Sequence, residues 1–95
     1  MAKAVYKGIV LAESDQGHVV EGNYYFPPDA IKREFFRENS RQTTCAWKGV
    51  AHYYDIVVAG ETLDAAAWYY PAPKDAAKQI AGHVAFYTNR VQVER

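Results

Sequence analysis

The chain has 95 residues, 49% of them hydrophobic and 15% aromatic, with eleven basic side chains balanced by eleven acidic ones. A formal charge of zero excludes a general nucleic-acid binder and a polybasic membrane anchor, both of which need a basic surface. The apolar runs, such as Gly8 to Ala12 and Ile56 to Ala59, fall far short of the ~20 residues that cross a bilayer.

One small domain over residues 1–95 is expected, large enough to bury a core without staples. The single cysteine allows no internal disulfide. The opening MAKAVYKG has no apolar signal core, so a cytoplasmic location is expected.

Taken in order, Ala4 to Glu13 reads as a strand with a bend at Gly8. Glu13 to Gly17 is turn chemistry, and His18 to Glu21 reads as a return strand, so these elements suggest a hairpin. Gly22-Asn23 interrupts it, and Tyr24 to Phe26 runs extended to Pro27-Pro28. Proline is tolerated in a helix's first turn. With Ile31 and Phe35 spaced i,i+4, it predicts a short helix from Pro28 to about Glu38. Gln42 to Trp47 is the next strand, turned at Lys48-Gly49. Val50 to Val58 follows, with Val50, His52, Tyr54, Ile56 and Val58 on one face and Ala51, Tyr53, Asp55 and Val57 on the other. Ala65 to Tyr70 is a further strand ended by Pro71. Lys74 to Ala81 reads as a second short helix stopped by Gly82, and Val84 to Tyr87 with Val91 to Glu94 as a final hairpin. The fold class is mostly β, in antiparallel sheets with two short helices.

Several chemistries have no support. There is no phosphate-binding glycine loop, no dinucleotide fingerprint and no nucleophile elbow. His18, His52, His83 and Cys45 stand singly, so no metal site is expected. Asp15, Asp29, Asp55, Asp64 and Asp75 fall in different elements, without the clustered carboxylates that two-metal nucleotidyl transfer needs. No cofactor is implied.

Four blocks in register span the chain: Glu21-Gly22-Asn23-Tyr24-Tyr25-Phe26-Pro27-Pro28, Cys45 through Tyr54, Ala67-Trp68-Tyr69-Tyr70-Pro71-Ala72-Pro73, and Ile80 through Tyr87. Their order and spacing resemble the small domain catalogued as domain of unknown function 427, sometimes labelled nucleotidyltransferase-like. One departure stands out: Ala46 occupies a place where the family usually has proline. The resemblance implies a compact architecture similar to the β-tent of methionine sulfoxide reductase B and of cereblon's drug-binding domain. In those proteins a cleft between sheets holds a small ligand, sometimes in an aromatic cage.

Three functions are compatible with these residues. The first is a small-molecule binder for a flat, nucleoside-like or cationic ring. Trp47, Trp68, Tyr25, Tyr53 and Tyr70 would wall its cleft, and Lys48 or Asn23 would make polar contacts. The second is an enzyme using Cys45 as nucleophile, with His52 as base. The third is an interaction module with a tyrosine-rich surface. The partner expected is a small molecule, and the chain a monomer or weak homodimer. Cys45 among strand neighbours is expected to pack as a poorly reactive hydrophobe, and Gly49 to need a positive φ.

Overall fold

The computed structural model describes residues 1–95. Nine strands run in chain order: β1 (Ala2–Tyr6), β2 (Ile9–Ser14), β3 (His18–Val20), β4 (Asn23–Tyr25), β5 (Phe36–Cys45), β6 (Gly49–Val58), β7 (Glu61–Tyr69), β8 (Val84–Phe86) and β9 (Gln92–Glu94). All pair antiparallel, in a four-stranded sheet β5-β6-β7-β8, a three-stranded sheet β2-β1-β9 and a ribbon β3-β4. The helical content is 3-10 turns at Pro28–Ala30, Arg33–Phe35 and Asp75–Ile80. No helix is long and apolar enough to cross a membrane.

The mostly β class holds, while five local expectations change. The helix expected from Pro28 to Glu38 is two isolated 3-10 turns followed by the start of β5. Ile31 between the turns is extended and bridges Ala12, and the Lys32 N–H donates to the Leu11 carbonyl at 2.8 Å. Phe36 then pairs with Ile56, because that register buries its ring against Tyr54 and Phe86. Long-range burial of Ile31 and Phe36 overrides the i,i+4 spacing of Ile31 and Phe35. Residues 75–80 also wind as 3-10 turns, kinked at Ala77. Ala77 and Ile80 are their buried residues, and a spacing of three is the period that eclipses side chains in a 3-10 helix.

Ala4 to Glu13 is not one strand. Lys7-Gly8 turns β1 into β2, whereas β3 pairs with β4. The final hairpin does not form either: β8 pairs with β7 and β9 with β1. The 87–91 turn carries the chain from one sheet to the other, with the Tyr87 carbonyl accepting the N–H groups of Arg90 and Val91 at 2.9 and 3.0 Å.

The two faces read for β6 hold, and each lies against its own core. Ile56 and Val58 belong to a cluster with Leu11, Phe26, Phe36 and Phe86, with Tyr54 packed against it. Ala51 and Tyr53 belong to a second cluster with Tyr25, Trp68, Tyr70 and Ile80. The ribbon serves both: Tyr25 enters the second core, Phe26 the first, and Phe26 exchanges two 2.8 Å backbone hydrogen bonds with Val84.

Both neighbours of β6 bulge beside it. Pairing skips Ser40 and Arg41 in β5, and Leu63 is the next partner after Ala67 in β7. Ala65, in the β7 bulge, takes a left-handed φ of 48°, uncommon for a residue with a Cβ. Asp55 of β6 ties the two bulges together. Its Oδ1 accepts the Ala65 N–H at 2.8 Å and the Asn39 amide at 2.7 Å. Replacing Asp55 with Ala removes the acceptor from both donors. It is expected to cost about 1–3 kcal/mol, read from the urea midpoint; an unchanged midpoint would show that the bulges stand without the carboxylate.

Candidate functional site

The β5–β6 turn gathers the residues that stood out in the sequence. Cys45 pairs with Gly49, and Ala46, Trp47 and Lys48 make the turn between them. Gly49 has φ +115°, as its placement in the turn predicted, and a Cβ there would meet the Ala72 carbonyl at 3.5 Å. The chain after β7 clamps the turn from outside. The Lys74 N–H donates to the Lys48 carbonyl at 2.9 Å, and the Lys74 ammonium donates to the Ala46 carbonyl at 2.6 Å.

Lys48 points inward and is only 6% exposed. Its ammonium is hydrogen-bonded to Glu21 and lies 5.2 Å from the Trp47 ring centre and 5.6 Å from that of Tyr70. The protein's own cation thus occupies the aromatic niche between these rings. Glu21 uses its other oxygen to accept the Trp47 indole N–H at 3.3 Å.

Burial pulls the Lys48 ammonium down, but the hydrogen bond to Glu21 and the tyrosines and Cys45 around it shift it net upward. The hydrogen bonds from Lys48 and Trp47 lower the Glu21 carboxyl. The depressed carboxyl contributes stability above the ordinary carboxylate range and loses it as pH falls through its folded value. The raised ammonium contributes below the ordinary lysine range and loses it only in strong base. The pair is therefore charged across neutral pH.

Cys45 is half-buried at the edge of the second core. The backbone N–H of Lys48 lowers its thiol pKa most, burial opposes this, and the Trp47 N–H and the Lys48 ammonium lower it further. The lowering comes from the N–H groups of the tight turn that follows the cysteine. His52 does not face Cys45. The register puts Cys45 with Gly49 and Ala51 on one face of the sheet, and His52 on the other beside Tyr69, with ring centres 5.7 Å apart.

Tyr25, Tyr53, Trp68 and Tyr70 converge on one face, where they pack against each other and against Ala51, Ala77 and Ile80. The Trp68 indole donates to the Tyr25 hydroxyl at 3.1 Å. Trp47 is 40% exposed beside Lys48, whereas Trp68 is 9% exposed within the face. Asn23 sits in β4 opposite Val20, half-buried.

The concavity opens at the other end of this face, where the bulges interrupt it. A cavity of about 350 Å³ is lined by Arg41, Asp64, Ala65, Tyr87, Asn89 and Arg90. Tyr87 packs against Trp68 in a tilted arrangement, with ring centres 4.6 Å apart and planes at 49°, and the Arg41 guanidinium lies 5.1 Å from the centre of the Tyr53 ring. Burial and the neighbouring Tyr53 hydroxyl push the Tyr87 phenol up to about 12, so it is a neutral hydroxyl at physiological pH.

The domain of unknown function DUF427 matches the chain over residues 1–95. The chain belongs to this family. No curated protein matches the chain significantly.

In this DUF427 domain, sequence reasoning passed over Glu21 as a site residue. The available signal was a glutamate before glycine in a two-residue hairpin turn, with φ of 53° and 79° at the two positions. Such turns ordinarily take Asn, Asp or Gly at the first place. Reasoning also passed over the cavity residues, because Arg41 and Asp64 take their places through bulges. Asp55 and Asp64, apart in sequence, meet through one amide: Asn39 donates to both, at 2.7 and 3.2 Å. His18 and His83 likewise meet, with ring centres 5.5 Å apart. No group of three or more His, Cys, Asp and Glu side chains is placed to hold a metal ion.

The turn geometry predicts that Cys45 reacts with iodoacetamide with a midpoint below the ~8.5 of a free thiol. Lys48→Met should raise that midpoint without restoring the free-thiol value, since the backbone N–H groups remain. A wild-type midpoint at or above the free-thiol value would contradict this account.

Proposed function

We propose that this DUF427 domain binds a small molecule with a flat ring at the open end of the aromatic face of the β5–β8 sheet. One observation carries the reading: the cavity has Tyr87 as a wall, and Tyr87 in turn leans on Trp68. Its volume of about 350 Å³ lies at the lower end of the roughly 300–1,000 Å³ typical of ligand sites. That favours a single-ring or nucleoside-sized ligand. A ring backed by a second buried ring loses little freedom when a ligand stacks on it, which supports binding there. Of the residues the sequence suggested as cleft walls, Tyr53 and Trp68 support the cavity from beneath. Tyr25 and Tyr70 continue the same face toward Lys48 and Trp47. The reading includes a cytoplasmic location and a small-molecule partner rather than nucleic acid, in keeping with a neutral chain.

A second reading, thiol chemistry at Cys45, is favoured by the lowered thiol alone. It lacks the general base first sought in His52. Cys45→Ala discriminates the two: ring binding at the cavity should be unchanged, whereas thiol chemistry should vanish.

The test uses Trp47→Phe, so that emission reports on Trp68. Titration with adenosine, phenyl phosphate and benzyl alcohol should give a saturable change for at least one of them. Tyr87→Ala should weaken that binding about tenfold or more, as expected when a stacking face is lost. No saturable change with any compound, neutral or charged, would overturn the reading.

A further inference from the structure

We propose that the cavity between the bulges selects an oxyanion, a phosphate or a carboxylate, carried on the ring that stacks against Tyr87. The inference rests on the ring-binding reading and adds the charge of the ligand.

Four of the six lining residues are polar, so an uncharged hydrocarbon ring would leave much of the wall unpaired. Two of the four are arginines from distant parts of the chain, Arg41 in the β5 bulge and Arg90 in the turn after β8. The chain's ion pairs are Lys7–Glu61 and Lys48–Glu21, and neither arginine has a carboxylate partner. A guanidinium carries five N–H donors. Arg90 uses one, to the Asp64 carbonyl at 3.3 Å, and the Arg41 side chain donates to no protein acceptor. Both are nonetheless oriented, Arg90 by that carbonyl and Arg41 by the Tyr53 ring.

Asp64 is the one acidic lining residue, and its Oδ1 accepts from Asn39. Two positive charges therefore face one negative charge across the opening. In a chain of zero net charge this local excess is not a by-product of a basic protein. Planar guanidinium forks match the oxygens of carboxylates and phosphates in a way that a point charge does not. A cationic ring would meet two like charges instead. The geometry thus narrows the broader expectation of a flat or cationic ring.

The experiment compares phenyl phosphate, benzoate, benzyl alcohol, benzylammonium and inorganic phosphate by isothermal titration calorimetry on the full chain. At least one aromatic anion should bind about tenfold or more tighter than benzyl alcohol, the gain expected for hydrogen bonds to a charged group. Benzylammonium should bind more weakly than the alcohol. The ratio of phenyl phosphate to benzoate affinity tells which oxyanion is preferred. Arg41→Gln and Arg90→Gln should each weaken the aromatic anion about tenfold while leaving benzyl alcohol within about twofold. Circular dichroism verifies the fold, and Arg41→Lys should recover only part of the loss.

Benzyl alcohol or benzylammonium binding as tightly as both aromatic anions, or anion affinity indifferent to both arginine substitutions, overturns the anion inference and leaves ring binding standing. Inorganic phosphate binding as tightly as phenyl phosphate removes the ring and keeps the anion. Failure of all five compounds to bind overturns the anion inference, and ring binding falls with it if adenosine also fails.

Discussion

The Asp55 carboxylate holds the arrangement on which the rest depends. It accepts from the Ala65 backbone on one side and the Asn39 amide on the other, at the level where both neighbours of β6 depart from regular pairing. A regular sheet would pair every residue and leave a flat surface. Here the unpaired residues interrupt the two strands that flank β6 and open a concavity. A left-handed Ala65 is uncommon for a residue with a Cβ, and the hydrogen bond from its N–H to Asp55 helps to hold it. The cavity is a consequence of this local irregularity in a sheet that is otherwise well paired.

The same sheet separates two kinds of interior. One face is covered by the β2-β1-β9 sheet and packs as hydrocarbon, with Phe26, Phe36 and Phe86 in edge-on contact. The other face is built from tyrosine, tryptophan and small alanines, and its buried polar atoms have partners: indole to phenol, phenol to threonine. No buried side-chain nitrogen or oxygen is left unpaired. Tyrosine and tryptophan suit such a layer because their rings bury apolar area while their polar tips reach an acceptor or the edge of a pocket. The polar chemistry of the chain gathers at the two ends of this layer. At one end Lys48 neutralises Glu21 within the molecule; at the other the arginines have no internal carboxylate. The first end is electrostatically complete, and the second keeps two arginines without a carboxylate partner.

The turn at Cys45–Gly49 shows how one local geometry serves several purposes. Gly49 supplies the positive φ, and the clamp from Lys74 fixes the turn. The N–H groups of Lys48 and Trp47, brought back by the turn, lower the thiol, and burial opposes them.

The sequence by itself determined the fold class, the family and the strands whose alternation is short-range. The two faces of β6 follow from a period of two, and Gly49 announces a turn because only glycine adopts its φ freely. Of the residues expected to wall a cleft, Tyr25, Tyr53, Trp68 and Tyr70 meet as a packed core, and Trp47 lies exposed outside it. Tertiary structure alone decided which strands pair, because register energy comes from partners distant in the chain. For that reason Phe36 joined a strand instead of continuing a helix, and β9 left its expected hairpin for β1. It also decided where the opening lies: Arg41, Asp64 and Arg90 carry no local mark of function, and converge only because two bulges and one turn bring separate segments to the same end of one sheet.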